Sequence, residues 1–511
     1  MSIANTIQDL VGRGADGDPA LLAPDRPALS YGALRQLVGE TGRKLNQLGI
    51  GRNDRVAIVL PNGPEMAAAF IALSSVATTA PLNPSYRAEE YRFYLSDLKA
   101  KALVIESGSA TPAAAVAKEL GVSIIELEAP AETPAGCFTL KGTGAGKPGT
   151  PGPAEARDTG LVLHTSGTTS RPKLVPLSQA NICASAHNIA QTLALGPADR
   201  CLNIMPLFHI HGLMAALLAS LGAGASIFCS PGFNALKFFT WLAAARPSWY
   251  TAVPTMHQAI LARAPRNRPV IEKAGLRFVR SSSSSLPPKI MAALEDTFNV
   301  PVIESYGMTE AAHQITSNPL PPTPRKSGTV GPADGPEVRL MDPGGKFLRP
   351  GETGEIVIRG SNVTGGYEAN QDTNASSFTN GWLRTGDLGR FNEDGYLSIV
   401  GRIKEIINRG GEKISPHEVE EVLLDHPSVA QAVTFAVPHD KLGEDVAAAI
   451  VLTEGSSIGS NDIRAFVRQR LADFKVPRRV ILVDEIPNGA TGKVQRSGLH
   501  EKLAKQLAGT S

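Results

Sequence analysis

The chain has 511 residues, with 50 Lys and Arg against 48 Asp and Glu, so its formal net charge is +2. This length exceeds what one compact core fills and predicts a large domain plus a smaller one, while the near-neutral charge gives no reason to expect nucleic acid or an acidic membrane as partner. Four cysteines without a close pair argue against a metal ribbon or a disulfide framework and favour a reducing compartment.

The N-terminus lacks a basic stretch followed by an apolar core, and no apolar run approaches the roughly 18 residues of a membrane span. The C-terminal Ala-Gly-Thr-Ser is not the peroxisomal Ser-Lys-Leu signal. We therefore expect a cytoplasmic protein without a membrane span, present as a monomer or a homodimer.

The first part of the chain alternates strand-like apolar runs with helical patterns. The runs are residues 55–60 and 102–105, and helical spacing covers residues 63–75 and 88–98. This alternation predicts an α/β fold with a parallel, doubly wound sheet. Residues 129–158 are rich in Pro, Gly, Thr and Ala, which predicts a surface connection.

Residues 164–173, His-Thr-Ser-Gly-Thr-Thr-Ser-Arg-Pro-Lys, follow the apolar run 160–163 and combine hydroxyls, a glycine and cations. A turn that leaves a strand with unpaired N–H groups and hydroxyls can surround phosphate oxygens while a lysine supplies charge. The segment is not a Walker loop, because the Gly-x-x-x-x-Gly-Lys-Ser/Thr spacing is absent. The alternative is an ordinary polar loop. The predicted phosphate ligands are Thr165, Ser166, Gly167, Thr168, Thr169 and Lys173.

Residues 209–285 are mostly apolar but contain several polar residues. Two histidines, His209 and His211, stand at alternate positions ahead of residues 212–227, which are apolar but short and rich in Gly and Ala. That composition predicts a buried helix that runs into a strand. Arg280 then precedes five consecutive serines at 281–285, which form either a flexible solvated turn or a polar wall.

A series of short motifs follows in the last two fifths of the chain. Residues 305–310, Ser-Tyr-Gly-Met-Thr-Glu, come after the apolar run 300–303 and are expected at a strand end, where ligand sites of α/β folds collect. The later motifs are Trp-Leu-Arg-Thr-Gly-Asp at 382–387, Gly-Arg-Ile-Lys-Glu at 401–405, Asn-Arg-Gly-Gly-Glu-Lys-Ile-Ser-Pro at 408–416 and Gly-Ala-Thr-Gly-Lys-Val at 489–494.

Together with residues 164–173, this ordered series resembles the adenylate-forming enzymes, the superfamily of acyl-CoA synthetases, luciferases and adenylation domains. The resemblance runs nearly end to end. It implies an AMP-forming acid–thiol ligase that uses ATP, Mg²⁺ and CoA. It also implies a large N-terminal domain with doubly wound sheets, residues 1–401, and a small mobile α+β C-terminal domain, residues 402–511.

The resemblance assigns roles to the motif residues. Tyr306 would stack on adenine, Gly307 would also line the ATP site, Thr309 would bond the α-phosphate, and Glu310 would hold Mg²⁺ as a hard oxygen ligand. In the same way the ribose ligands would be Asp387 and Arg402, the interdomain hinge Lys404, the CoA-binding loop Gly410, Gly411 and Glu412, and the catalytic lysine of adenylation Lys493. Local readings coexist with these: residues 394–395 and 401–402 suit hairpin turns, and Ser415, Pro416 and Glu418 suit a helix start.

The amino-acid sequences of several segments, including residues 164–173, 249–255 and 407–416, resemble the oxalyl-CoA synthetase branch of this superfamily. By resemblance His209 gates the carboxylate, and the acid is held by His211, Arg280, Ser283 and His313. A pocket of hydroxyls, imidazoles and a cation suits a second carboxylate, because buried polar groups without partners are costly. We therefore expect oxalate. Malonate is less favoured, since malonyl-CoA synthetases carry an arginine where this chain has Ser305.

Other readings stay open on the sequence. The enzyme could act on medium-chain, long-chain or aryl acids if the polar side chains face away from the pocket, or it could be a stand-alone adenylation module that loads a carrier protein. Arg280 could instead form a structural ion pair. Two departures from the family pattern, Ser170 and Leu174 in place of glycines, put the rate of the phosphate loop in question more than its reaction.

Overall fold

The computed structural model describes residues 4–143, 146–165, 172–368, 371–487, 496 and 498–508. Its strands fall into four sheets. In chain order the strands are β1 (Pro19–Leu22), β2 (Leu29–Ser30), β3 (Arg55–Val59), β4 (Thr78–Pro81), β5 (Ala102–Glu106), β6 (Ser123–Glu128), β7 (Thr139–Gly142), β8 (Thr159–Thr165), β9 (Lys173–Ser178), β10 (Arg200–Asn203), β11 (Ser226–Cys229), β12 (Trp249–Ala252), β13 (Phe278–Ser281), β14 (Val302–Met308), β15 (His313–Ser317), β16 (Glu337–Met341), β17 (Thr353–Arg359), β18 (Phe378–Thr379), β19 (Trp382–Phe391), β20 (Leu397–Arg402), β21 (Ile407–Arg409), β22 (Glu412–Ile414), β23 (Val429–His439), β24 (Gly443–Leu452) and β25 (Arg479–Leu482).

The helices separate these strands along the chain. The α-helices are α1 (Ile7–Val11), α2 (Tyr31–Gln47), α3 (Pro64–Ser74), α4 (Ala88–Leu98), α5 (Pro112–Glu119), α6 (Gln179–Thr192), α7 (Ala219–Gly222), α8 (Phe238–Ala245), α9 (Pro254–Leu261), α10 (Arg268–Ile271), α11 (Pro288–Phe298), α12 (Gln371–Ser377), α13 (Pro416–Leu424), α14 (Ser460–Arg468), α15 (Leu499–Lys502) and α16 (Ala504–Ala508). A π-helix spans His211–Leu218, and 3₁₀ turns span Ala264–Asn267, Thr309–Ala311, Ile403–Glu405 and Asp473–Lys475.

Two mostly parallel sheets form the bulk of the molecule. One has the order β7-β6-β5-β3-β4-β8-β9, and the other has the order β15-β14-β13-β12-β10-β11-β1-β2. Helix α3 contacts β4 of the first sheet and both β1 and β11 of the second, and almost all of its residues are buried. Because the carboxyl ends of parallel strands share one edge, residues far apart in sequence meet there.

The last two sheets are largely antiparallel. The third has the order β16-β17-β19-β18, with β20 paired to β19, and the fourth has the order β22-β21-β24-β23, with β25 parallel to β24. A separate core under the fourth sheet contains Val419, Leu423, Ile463 and Val467 from α13 and α14. This gives the C-terminal part an α+β character.

Most predicted elements are confirmed. Helices α3 and α4 and strands β3, β5 and β8 coincide with the predicted segments to within a few residues, and the Ser415 side chain caps α13 by accepting from the Glu418 N–H. The run 212–227 is the π-helix followed by α7 and β11, all buried.

The motif at 305–310 lies at a strand end, as predicted, because residues 305–308 are the last of β14 and pair with β15. Two predictions needed correction. The connection 129–158 contains a strand, β7, that pairs antiparallel with β6. The third sheet is antiparallel and not doubly wound, and the short turn at 394–395 joins β19 to β20. Among the described residues, no helix is both long and apolar enough to span a membrane, and the four cysteines are unbonded thiols.

Candidate active site

A buried polar cluster lies at the carboxyl edge of the second sheet. Arg280 is on β13, Thr251 is on the neighbouring β12, and His313 opens β15 beyond β14. His211 is the first residue of the π-helix, which contacts β12 and β15. These four side chains are almost fully buried. The second sheet and the π-helix that packs against it therefore bring together residues that are up to about a hundred positions apart.

Arg280 is the centre of this cluster. Its Nη2 donates to His313 Nε2 at 3.1 Å and to Gln314 Oε1 at 2.9 Å. Its Nη1 lies 3.4 Å from His211 Nε2 and 3.5 Å from Thr251 Oγ1. Since a guanidinium only donates, His313 accepts this bond on Nε2.

The cluster continues to the serine run. The Nδ1 of His211 lies 3.0 Å from Ser283 Oγ, and the rings of His211 and His313 stack with centroids 4.9 Å apart. Ser283 and His313 have φ of +75° and +99°. Positive φ is rare outside glycine and is retained where neighbouring structure demands it, often at functional sites. The serine run is thus an ordered wall at Ser283 and not a solvated turn there.

The charge of Arg280 has no contacting counter-ion. Burial lowers its pKa from 12.5 to about 9, and its Nε has no hydrogen-bond partner. Within the described ranges, no carboxylate lies at ion-pair distance from it. The contacts of the described residues therefore do not support the alternative of a structural ion pair. A buried cation with a free N–H is suited to receive an anion.

The β14–β15 connection joins this cluster to the predicted nucleotide ligands. Tyr306 and Gly307 lie within β14, while Thr309 and Glu310 form a 3₁₀ turn before His313. A Cβ on Gly307 would lie 1.5 Å from the His313 carbonyl oxygen, so glycine is required for the two backbones to approach. The same hairpin thus contains the predicted nucleotide motif and one wall of the buried polar cluster.

Glu310 is a buried carboxylate with two cations, Lys173 and Arg402, near it. Burial raises its pKa, and Tyr367 Oη donates to its Oε1 at 2.8 Å. Lys173 Nζ lies 4.4 Å from the centroid of the Tyr367 ring, and both Lys173 and Arg402 favour the charged form of Glu310. A desolvated carboxylate oxygen is a fitting ligand for Mg²⁺, which takes one or two carboxylates and completes its shell with phosphates and water.

Lys173 is itself perturbed. Burial lowers its pKa, and the nearby Lys404 lowers it further, while Glu310 raises it. Lys173 pairs with Thr165 at the loop end of the β8–β9 hairpin. The loop between them contains Ser166, Gly167, Thr168 and Thr169, which lie outside the described residues. Its flanking residues set a cationic, half-buried entrance suited to phosphate.

Asp387 links Tyr306 to Arg402. Tyr306 Oη donates to Asp387 Oδ2 at 2.6 Å, and Arg402 Nε donates to Asp387 Oδ1 at 2.9 Å. Each carboxylate oxygen can accept two hydrogen bonds and here accepts one, so each can still accept from a ribose hydroxyl. Lys173, Tyr306, Glu310, Asp387 and Arg402 are thus brought into one region.

Other predicted residues lie elsewhere. Gly410 and Gly411 form the β21–β22 turn with φ of +61° and +101°, and Glu412 follows them in the fourth sheet. Lys404 is exposed on the 3₁₀ turn after β20. The Nδ1 of His209 accepts from the His211 backbone N–H at 3.3 Å, a local contact at the start of the π-helix. Lys493 lies outside the described residues.

Sequence reasoning assigned no role to four contacting residues. Tyr367 and Gln314 contact Glu310 and Arg280 respectively, Thr251 contacts His211, and the Asp334 carboxylate accepts from Gln314. Thr251 lies within residues 249–255, which resemble the acyl-pocket lining of the family, and Gln314 follows a similar segment at 311–313, but no local pattern marks Tyr367 or Asp334. Their roles depend on chain segments that meet only in the fold.

Comparison with known proteins gives concordant matches. The family described as AMP-binding enzyme matches residues 11–368, and the AMP-binding enzyme C-terminal domain matches residues 418–493. An oxalate–CoA ligase of Arabidopsis thaliana is 44% identical over 490 residues, covering 93% of this chain and 95% of that protein. An oxalate–CoA ligase of Saccharomyces cerevisiae is 42% identical over 479 residues, covering 89% and 88%. The solved structure of ATP-bound MatB from Rhodopseudomonas palustris has a TM-score of 0.87 at 29% identity and covers 98% of this chain and 99% of that chain.

Proposed function

This chain belongs to the AMP-binding enzymes, and from that premise we propose that it is an ATP-dependent acid–thiol ligase that converts oxalate, ATP and CoA into oxalyl-CoA, AMP and diphosphate. The buried, partner-deficient guanidinium of Arg280 is the observation that carries the choice of oxalate. One carboxylate of oxalate would be activated while the other would meet this cation.

The reaction has two steps with different chemical demands. First a carboxylate oxygen of the acid attacks the α-phosphorus of ATP, forming the acyl-phosphate bond and expelling diphosphate. Then the CoA thiolate attacks the acyl carbon, forming the thioester and expelling AMP. In both steps negative charge shifts between oxygens, and preorganised cations and N–H groups lower that barrier.

The first step is supported by the cationic region around Glu310. Lys173 would meet the phosphates, Thr309 would donate to the α-phosphate, and Asp387 would accept from the ribose hydroxyls; the nearness of Lys173 to Glu310 and the bond from Tyr306 to Asp387 support these roles. When bound, Mg²⁺ would neutralise phosphate charge, with Glu310 as its protein ligand. Lys493 would bridge the acid and the α-phosphate.

The second step would use the C-terminal part of the chain. The exposed backbone of Gly410 and Gly411 would allow the pantetheine arm of CoA to pass, and Lys404 would be the hinge that exchanges this turn for Lys493. Such a domain movement divides the reaction into two conformations and can limit turnover.

The acid pocket favours a small dianion over an apolar acid. Hydrogen-bonding groups of His211, Ser283, Arg280 and His313 would lose partners or stay desolvated against an alkyl or aryl chain, at about 1–3 kcal/mol for each unsatisfied group. Ser305 is buried with an unpartnered hydroxyl where the malonate branch has a cation, which disfavours malonate. A medium-chain, long-chain or aryl acid is therefore the weaker alternative.

The test is AMP formation with ATP, Mg²⁺ and CoA across oxalate, malonate, acetate, octanoate, palmitate and 4-coumarate. Oxalate should give the highest kcat/KM. Both Lys493→Ala and His313→Ala should abolish AMP formation with oxalate. Activity confined to apolar acids would refute the assignment of oxalate while keeping the ligase chemistry. Adenylation of oxalate without thioester formation on free CoA would instead point to a carrier-protein acceptor.

A further inference from the structure

A neutral side chain lies between Arg280 and the carboxylate that most favours its charged form. Asp334 is the carboxylate whose charge favours protonated Arg280, yet the two side chains do not form an ion pair in the described part of the chain. Gln314 stands between them. Its Oε1 accepts from Arg280 Nη2 at 2.9 Å, and its Nε2 donates to Asp334 Oδ2 at 2.5 Å.

The orientation of this amide is dictated by its neighbours. A guanidinium only donates and a carboxylate only accepts, so the oxygen of Gln314 must face Arg280 and its nitrogen must face Asp334. The hydroxyl of Thr192 donates to the same Oδ2 of Asp334, and Gln314 is fully buried. A primary amide is the side chain that can satisfy a cation at one end and an anion at the other.

The backbone is shaped to bring Gln314 to this position. Successive residues of a regular strand point to opposite faces, yet His313 and Gln314 both contact Nη2 of Arg280. The φ of +99° at His313 breaks that alternation. Two adjacent residues of β15 thus accept from Nη2 of Arg280, while Nε of Arg280 has no hydrogen-bond partner.

We infer that Gln314 is a specificity-determining residue of the acid pocket. It separates Arg280 from Asp334, so that the cation is oriented and partly compensated but not consumed by an ion pair, and its charge remains for the second carboxylate of a dianionic acid. This inference rests on the proposed function, because it names the acid pocket of that reaction. The side chain of Gln314 bonds Arg280, Asp334 and Thr192, so a substitution that keeps its shape should have an effect confined to the acid.

Two substitutions of nearly unchanged shape test this idea in opposite directions. Gln314→Glu puts a carboxylate in contact with Arg280 and removes the donor to Asp334, so the two carboxyl groups share one proton. The resulting charge-assisted pair with Arg280 should neutralise the pocket. The KM for oxalate should rise about a hundredfold, with the KM for ATP unchanged, since hydrogen bonds to charged groups account for factors of this size. Asp334→Asn removes the distant negative charge and should lower the KM for oxalate roughly threefold.

Selectivity is the readout that a purely structural role would not change. The ratio of kcat/KM for oxalate to that for acetate should fall about a hundredfold in Gln314→Glu, because acetate does not need a second cationic contact. Stabilisation of each variant by ATP, measured as a thermal shift, reports whether the nucleotide region remains folded. Equal losses for oxalate and acetate would overturn the inference.

Direct binding separates the inference from the proposed function. Oxalate binding without ATP is measured by isothermal titration for the unaltered protein, Gln314→Glu and Asp334→Asn. If the protein binds oxalate but turns over another acid, the proposed function fails, and the inference stands when Gln314→Glu abolishes binding. If oxalate is turned over and Gln314→Glu binds it normally, only the inference fails. An unaltered protein that neither binds nor activates oxalate overturns both.

Discussion

Replacing Arg280 with methionine should abolish activity on oxalate and yet stabilise the fold. The lowering of the Arg280 pKa from 12.5 to about 9 corresponds to a penalty of about 5 kcal/mol for the buried charge. Methionine removes that penalty with a similar length. It also removes the bonds to His313 and Gln314, whose acceptors lose a partner at about 1–2 kcal/mol each.

The net expectation for Arg280→Met is a gain of about 2 kcal/mol in the free energy of unfolding. Replacing buried charges by apolar groups commonly has this sign. Activity should move the other way. Loss of two charge-assisted hydrogen bonds to the second carboxylate, about 4 kcal/mol together, lowers kcat/KM for oxalate about a thousandfold.

Arg277→Met is the matched control. Arg277 lies three residues earlier, and its guanidinium forms a two-bond ion pair with Asp199 at 2.8 and 2.9 Å. Its removal leaves a nearly buried carboxylate unpaired. This variant should lose about 1–2 kcal/mol of stability, since Arg277 is 41% exposed, and should keep activity on oxalate.

Tryptophan fluorescence during urea unfolding is the assay for stability. The three tryptophans, Trp241, Trp249 and Trp382, all precede residue 402, so the signal reports the large N-terminal part. Diphosphate release with oxalate measures activity. A loss of more than 1 kcal/mol in Arg280→Met, with Arg277→Met behaving alike, would refute the view that Arg280 is retained for an anion at a cost to the fold.

The remaining predictions concern other steps. Above pH about 9, diphosphate release at low oxalate should fall as Arg280 loses its proton, because a base with a lowered pKa is charged only below that value, while the KM for ATP stays constant. Glu310→Gln should raise the Mg²⁺ concentration needed for half-maximal activity at least tenfold, and a normal Mg²⁺ titration would contradict its role. Gly307→Ala should displace His313 and raise the KM for oxalate, visible as lost oxalate binding in calorimetry. Lys493→Ala should lose diphosphate release yet still form thioester from supplied acyl-adenylate; equal loss of both steps would exclude a role limited to adenylation.

The sequence alone determined the reaction class and most of the local structure. Apolar periodicity located α3, α4, β3 and β5, because strands and helices bury residues with different spacing. The ordered motifs identified the family, which the comparisons bear out over nearly the whole chain. Such features are carried by neighbouring residues and need no knowledge of the fold.

Local reasoning was less successful where pairing partners are distant. Strand β7 was missed inside a segment rich in Pro and Gly, since it is stabilised by the edge of β6 and not by its own composition. A hairpin at 394–395 was one reading of the sequence, but the antiparallel pairing of β17 with β16 and β19 was not recognised, for the same reason. The serine run could be a turn or a wall on sequence grounds, and the contact of Ser283 with His211 distinguishes the two.

The tertiary structure alone decided what surrounds each charge. Sequence identified Arg280 and Glu310 as functional candidates, but it could not reveal that Tyr367 bonds Glu310 or that Gln314 separates Arg280 from Asp334. Electrostatic properties depend on burial and on the distance to other charges, and both are set by segments that meet only after folding. The residue types therefore specify the chemistry that is possible, while the packing of β12 to β15 determines whether the cation is free to bind an acid.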